Sequence, residues 1–412
     1  MEPGDRAAQV KRGVLVQFIV VAAMTGQGLA AAAPSAPPVI VGHREPKVYA
    51  DTWKRIADDI SNRYYGRKTR KFEMEKLLLK YGPLASAAKD DTEFEARVEE
   101  MIREFGDSHF DLFTRADQGY YMMDGLARGD NAAKAPEIGA WFRQTTDGYR
   151  VQMVLEGTEA SKAGLRVGDR IVTADDAQFG PITSFAGKEG KPVKLAVERG
   201  HDRFEKTVVP ESDTLMNMFL NATRASARTI DAKGKKLAYV HVWTLGSAAF
   251  KNALESLVNG RFATTDAFIL DLRDGFGGRP EGYGDPFFRP GNEIKWDFVN
   301  STSTQHFGYS KPLVVLINVG SRSAKELLSF VFKSSHRATL IGTQTAGNVL
   351  GTSPIRVNDW SYLELPAVDV VIDGVRLEKN GVQPDIKVED GFDKDGKDVV
   401  IERAVQFLSR KR

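Results

Sequence analysis

Apolar residues return at helical spacing from Lys47 to Phe105. Trp53, Ile56, Ile60 and Tyr64 share one face, as do Phe94, Val98, Met101 and Ile102. The stretch is therefore predicted to be helical. The pattern breaks at Gly106-Asp107-Ser108-His109, and Phe110-Asp-Leu-Phe113 reads as a short strand. Thr114 to Pro136 is rich in Gly, Ala and Asp and reads as a connecting segment without chemistry. Ile138-Gly139-Ala140-Trp141-Phe142 then leads into one strand, and Tyr149-Val-Gln-Met-Val-Leu155 forms the next. Ile182-Thr-Ser-Phe185 reads as a short helix, soon stopped by Gly187 and Gly190.

From Leu237 onward the pattern becomes α/β. Leu237–Trp243, Ala267–Asp271, Leu313–Asn318 and Ala338–Gly342 read as strands, the apolar β-branched runs among them as buried ones. Helices are predicted at Ala248–Val258 and Leu327–Lys333. Hairpin-like segments follow at Trp360–Leu365 and Val368–Ile372, and a last helix at about Val399–Ser409. The pattern shows no internal repeat.

Composition adds limits. A chain of 412 residues calls for more than one domain. Hydrophobic residues at 42% and charged residues at 27% describe an ordinary globular protein. A formal charge of +2 gives no reason to expect a nucleic-acid partner. The absence of cysteine rules out disulfides and thiolate metal sites. No metal-ligand spacing of the His-Glu-x-x-His kind occurs, and Gly275-Phe-Gly-Gly278 lacks the lysine and helix pattern of a phosphate loop. No metal and no cofactor is expected. The N-terminus has its own signature: Lys11-Arg12, an apolar run from Val14 to Met24, small residues to Ala33, then Pro34. That order is a secretory signal peptide, with cleavage expected among Ala30–Ala33. The apolar run is too short for a membrane span, so no stable span is expected after cleavage. An exported, cysteine-free chain suits a bacterial periplasm.

Candidate chemistry lies between a strand and a helix, at Gly320-Ser321-Arg322-Ser323-Ala324-Lys325-Glu326. A serine on such a turn holds its hydroxyl out of the sheet, and the helix N-terminus offers N–H groups to an oxyanion. The same residues spell a capping box, in which Ser323 caps and Glu326 reaches back; the turn alone favours the cap. Lys325, in the first helical turn, reads as exposed, charged and uninvolved. His241 alternates within a strand, His43, His201 and His306 have polar surroundings, and His336 falls at a helix end. None of these is a candidate.

Ala163-Gly164-Leu165-Arg-Val167-Gly168-Asp169-Arg-Ile171 resembles the signature of a PDZ domain. The resemblance implies that Glu137, Ile138 and Gly139 form the loop that holds a peptide's terminal carboxylate, with Ile138 and Gly139 binding substrate. A rigid spacer that no longer grips peptides is the alternative, because the helix beside the groove looks short. Three further stretches occur in the order seen in the C-terminal processing (tail-specific) serine peptidases, and each resembles one of that family's motifs. They are Asp271-Leu-Arg-Asp-Gly-Phe-Gly277-Gly278, Ser321-Arg-Ser323-Ala-Lys-Glu326 and Glu378-Lys-Asn-Gly381-Val382-Gln-Pro384-Asp385-Ile386. The resemblance implies an α/β (α+β) fold with a crotonase-like catalytic core. Its expected layout is a signal peptide at 1–33, a helical region carrying Ser108-His109 at 34–135, a PDZ-like domain at 136–213 and the peptidase core at 214–412.

The family has two branches with different bases. In the tail-specific branch the base is a lysine downstream of the serine. Here Asn348 stands in its place, and an amide is no base at neutral pH. The other branch resembles the tricorn core protease, whose base is the histidine of an N-terminal Ser-His pair. The resemblance thus implies Ser323 as nucleophile and His109 as base. Ser108 and Glu378 would orient the base, and the oxyanion would meet N–H groups of Ala324 and of Gly277 or Gly278. An imidazole has a reference pKa of about 6.5, so kcat/KM is expected to rise near that pH. The expected function is an exported serine endopeptidase acting on proteins or peptides, C-terminal segments among them. Two readings compete with it. One is a non-catalytic binding protein on the same fold, taking a peptide or a hydrophobic ligand. The other is a PDZ scaffold attached to an inactive enzyme. Retention of Ser108, His109, Ser323 and Glu378 together favours the enzyme.

Overall fold

The protein's structure, a computed structural model, describes residues 41–410. The predicted signal peptide lies outside the described residues. Three helices, Pro46–Arg63, Lys71–Ser86 and Asp91–Phe105, open the described chain. The third is capped at its start by Asp90, which accepts the Glu93 N–H, and ends at Gly106 in the left-handed region. These helices bury Tyr49, Ile56, Phe94 and Val98 against Val357, Trp360, Leu363 and Leu365, which come from far along the chain. Tyr49, Phe94 and Trp360 contact one another through their rings at 5.6–6.0 Å. The short strand Asp111–Thr114 then pairs antiparallel with Ser361–Val368. Packing and pairing together carry the residues around His109 across to the C-terminal part.

Residues 114–136 differ from the connecting segment expected. Gln118–Arg128 is a helix, and its residues from Gln118 to Gly125 are all buried. Its Gly and Asp content hid it, because propensity is a weak prior and tertiary burial overrides it. The PDZ-type unit that follows has its own core, with Phe142, Val151, Leu165, Ile171 and Leu195 inside. Its strands run in the order Ala140–Thr145, Gly148–Val154, Arg170–Ala174, Val193–Arg199 and Asp202–Val208. Ala140–Thr145 is an edge strand. The predicted short helix at 182–185 is a tight turn in which Ser184 and Ala186 donate to Gly180 and Ile182.

The α/β part holds a six-stranded sheet in the order Arg228–Ala232, Lys235–His241, Ala267–Asp271, Leu313–Ile317, Thr339–Gly342 and Ile386–Lys387. Only the first pair is antiparallel. Successive residues point to opposite faces, and both faces are apolar. Leu237, Tyr239, Ile269, Val314 and Leu316 pack with the C-terminal helix Val399–Leu408. Ala238, Val240, Phe268, Leu270 and Val315 face the helices Ala248–Asn259 and Ala324–Ser334. A sheet covered on both sides explains the continuous apolar runs. The strand Ser361–Val368 pairs with Gly351–Arg356, and the hairpin-like segment expected at 368–372 is not a strand beyond residue 368. Residues Ile372 and Val375 make only an isolated bridge.

Candidate active site

The strand Ala267–Asp271 leads into a fixed corner. Arg273 sits 2.7 Å from Asp271 and 2.9 Å from Asp398, and Tyr239 donates to Asp271 at 2.8 Å. Burial by itself would raise the Asp271 carboxyl, but Arg273 and His241 outweigh it and hold it below the usual range. Such a buried pair is weak evidence for stability, yet its geometry sets the direction in which the chain leaves the sheet. The next segment, Phe276–Gly278, lies beside Thr244-Leu245. A Cβ at Gly277 would stand 2.4 Å from Ser323 Cβ, 2.7 Å from Ser323 Oγ and 3.0 Å from the Ala324 nitrogen. Only glycine allows that approach. Gly278 has a φ of 134°, and a Cβ there would meet the Leu245 carbonyl at 2.3 Å.

Ser323 stands at the turn from the strand Leu313–Ile317 into the helix Ala324–Ser334. Its φ of 58° lies in the region that favours glycine. His109 shares this feature, with a φ of 55°. Strain of this kind costs about 1–3 kcal/mol per residue and gathers at functional sites. The box around the helix start is present, but Glu326 does more than cap. Its carboxylate accepts the N–H of Ser323 at 3.2 Å, Gly347 at 2.7 Å and Asn348 at 2.8 Å, and the Thr345 hydroxyl at 2.5 Å. Asn348 also accepts the Ser323 N–H through its carbonyl at 2.8 Å. The loop 345–348 thus fixes Ser323 through backbone groups.

From that loop a hydrogen-bonded chain reaches the N-terminal region. Glu378 is buried and accepts the N–H groups of Val349 at 2.7 Å and Leu350 at 3.1 Å. The same oxygen accepts the Ser108 hydroxyl at 3.0 Å, and Ser108 Oγ lies 3.2 Å from His109 Nδ1. Burial lowers the His109 imidazole to about 4, helped by the nearby Arg322 cation and opposed by Glu378. Arg322 also faces Asp111 and Glu364, which are opposite each other on paired strands. Burial pushes Asp111 up to about 7 and raises Glu364, while Arg322 draws both down. Arg322 is not a candidate in the sequence. Its one signal there is its place between Ser321 and Ser323.

Lys325 departs from expectation. It is fully buried and not exposed. Its ammonium donates to the Asp274 carbonyl at 2.6 Å and the Arg273 carbonyl at 3.4 Å. Burial lowers it to about 7, against the pull of Asp274 and Asp271. The first helical turn here faces the corner at 273–275 and not solvent, which no local pattern announces. Lys325 therefore pins the segment that leads to Gly277. Lys325→Met keeps the bulk and removes both bonds. It is expected to lower kcat about tenfold through misplacement of Gly277, and to lower stability by about 1–3 kcal/mol through the stranded carbonyls. Peptide kinetics and urea unfolding check both.

Glu137, Ile138 and Gly139, expected to form a carboxylate loop, lead into the strand Ala140–Thr145. Ile138 is buried and its carbonyl accepts the Ala160 N–H at 2.8 Å, while that of Gly139 accepts the Leu155 N–H at 2.9 Å. Their own N–H groups face the Glu137 carboxylate, which burial pushes up to about 8. Two residues further, the Trp141 ring lies 4.7 Å from that of Phe276, and Met153 sulfur accepts the Gly275 N–H at 3.1 Å. The PDZ-type unit thus packs directly on the glycine segment beside Ser323. Among the described residues, no cluster of His, Asp and Glu could hold a metal ion.

Comparison with known proteins follows the same division. Residues 236–388 match the model of peptidase family S41, and residues 136–209 match that of a PDZ domain. A carboxyl-terminal-processing protease of Synechocystis sp. is 24% identical over 368 residues, which cover 86% of this chain and 83% of that protein. The structure of a photosystem II D1 C-terminal processing protease superposes with a TM-score of 0.53 at 18% identity, covering 88% of this chain and 98% of that one. The crystal structure of the tricorn protease gives a TM-score of 0.51 at 20% identity. It covers 88% of this chain, which spans only 36% of the tricorn chain.

Proposed function

For a chain that matches the model of peptidase family S41 over residues 236–388 and that of a PDZ domain over 136–209, we propose a Ser/His endopeptidase mechanism centred on Ser323 and His109. The observation that carries this reading is the run Glu378–Ser108–His109, which joins side chains 270 residues apart beside the Ser323 turn. Ser323 Oγ attacks the scissile carbonyl carbon as the unprotonated imidazole of His109 takes its proton. The carbonyl oxygen becomes an oxyanion facing the N–H groups of Ala324 and of Gly277 or Gly278. His109 then gives the proton to the leaving amine, and the C–N bond breaks. Water, deprotonated by the same imidazole, releases the acyl group and restores Ser323. Ser108 and Glu378 hold the imidazole in place throughout, a variant of the Ser/His/acid arrangement.

The substrates are proteins or peptides, and the PDZ groove at Ile138 and Gly139 selects C-terminal segments. This agrees with the names of the curated relatives, which are carboxyl-terminal-processing enzymes. The regions 34–135, 136–213 and 214–412 act as helical cover, selector and catalytic core. Export to a periplasm is supported by the charge, apolar run and small residues at the N-terminus. Among the described residues, no helix is long and apolar enough to cross a membrane.

The test is cleavage of casein by the full chain beside Gly277→Ala. A methyl group at 277 would overlap Ser323 Cβ and Oγ. Wild type should cleave, and Gly277→Ala should lose about 10²–10³-fold in kcat, the range for a damaged oxyanion site. Undiminished cleavage by a folded Gly277→Ala would remove the glycine segment from the site.

A further inference from the structure

Ala140–Thr145 pairs with Gly148–Val154 on one side only, so its other edge is where an added peptide strand would lie. In the structure this edge is already in use. Gln118, the first residue of the helix Gln118–Arg128, donates from Nε2 to the Ala140 carbonyl at 2.8 Å. Its Oε1 accepts the Phe142 N–H at 2.9 Å. Residues 140 and 142 are alternate positions whose groups point to the same edge, as a ladder requires. One side-chain amide therefore offers the N–H and C=O that a peptide backbone would offer. The same Nε2 donates to Glu137 Oε1 at 2.5 Å. The Glu137 carboxyl group in turn faces the N–H groups of Ile138 and Gly139. Gln118 and Glu137 are 4% and 2% exposed, so neither is a loose surface contact.

A carboxyl group facing the loop and an amide on the strand edge stand where the two parts of a C-terminal residue would lie. We propose that Gln118 and Glu137 act as an internal ligand that fills the PDZ groove, and that a peptide with a free terminal carboxylate binds only by displacing Gln118. This rests on reading Ile138 and Gly139 as the carboxylate loop. Displacement exchanges two ladder bonds for two of the same kind, so the net gain from strand addition is small. Apparent affinity is then reduced by the fraction of molecules whose groove is open. The helix that carries Gln118 is also tied elsewhere. Tyr120 donates to the Asp359 carbonyl at 2.8 Å, and Tyr362 donates to Asp124 at 2.6 Å. These anchors favour the filled groove, because they hold the helix in register with the edge strand.

The probe is a set of fluorescein-labelled decapeptides ending in Ala, Val, Leu or Phe, as free acids and as C-terminal amides. Binding is followed by anisotropy on full-length chains carrying Ser323→Ala, to prevent cleavage. Adding Gln118→Ala should tighten free-acid binding by at least about tenfold, through removal of the competing amide. Amides should bind weakly to both chains. Equal free-acid affinity with and without Gln118 would overturn the internal ligand and leave the groove reading intact. No preference for free acids in either chain would overturn the groove reading and the internal ligand with it. A measurement without the Gln118 change guards against misfolding. In the chain that retains Gln118, saturation with the free-acid set should speed amide hydrogen exchange at residues 118–122. Peptide bound with exchange there unchanged would also overturn the proposal.

Discussion

His109→Ala is expected to lower kcat/KM by about 10²–10⁴-fold, the usual contribution of a positioned general base. The wild-type pH profile should carry a distinctive mark. Only the neutral imidazole can accept the serine proton, so activity is present above the imidazole pKa and lost as pH falls through it. With His109 held at about 4 by burial and by Arg322, kcat/KM should be level near neutrality and half-lost near that value. The sequence alone places that rise near the reference value of about 6.5, which takes no account of burial. Lys325, lowered to about 7, is the other buried base near the turn. Were it the base, the acid limb would fall about there. Arg322→Met should move the limb upward, because one of the two influences that lower His109 is removed. The linkage sign for stability runs the same way. The unfolded chain takes up the His109 proton first, so acidification from about 6.5 towards 4 should cost stability. A limb near 7 that ignores Arg322, with His109→Ala fully active, would reject the histidine mechanism.

Ser323→Ala should abolish turnover, with a loss of at least about 10⁴-fold where nucleophile and base act as a unit. A cap lost with the serine would cost only about 1 kcal/mol. Ser323→Gly separates chemistry from folding more sharply. The φ of 58° is one that glycine adopts freely. Ser323→Gly should therefore be inactive yet as stable as wild type or more so, by about 1 kcal/mol in urea unfolding. If Ser323→Gly kept its activity, the residue would be reduced to a cap.

Much of this arrangement was legible in the chain. Continuous apolar runs such as Ala267–Asp271 and Leu313–Ile317 marked buried strands, and Gly277-Gly278 fell in a motif whose resemblance implied oxyanion donors. The order of short motifs linked Ser323, Ser108-His109 and Glu378; the structure joins the last three in one hydrogen-bonded run, and the backbone of 348–349 connects that run to the Ser323 turn. What stayed hidden depended on packing at long range. Lys325 and Arg322 adjoin Ser323, but nothing local shows that one is buried beneath the corner at 273–275 and the other faces His109. The helix Gln118–Arg128 looked like a connector because its Gly and Asp residues are poor helix formers. It forms because tertiary contacts bury it. The role of Gln118 needs the edge of Ala140–Thr145 to be seen in place. The 351–356 partner of Ser361–Val368 was missed because it contains Gly351 and Pro354, which both weaken a strand reading.

The central claim is that Ser323 is a nucleophile activated by His109. It is tested most directly by reacting the full chain with a fluorophosphonate at neutral pH and mapping the adduct by mass spectrometry. One adduct is expected, on Ser323, formed far more slowly in a folded His109→Ala and only about tenfold more slowly in a folded Lys325→Met, in line with its expected loss of kcat. An adduct on Ser321, or Ser323 labelling that is indifferent to His109 and abolished by Lys325→Met, would contradict it.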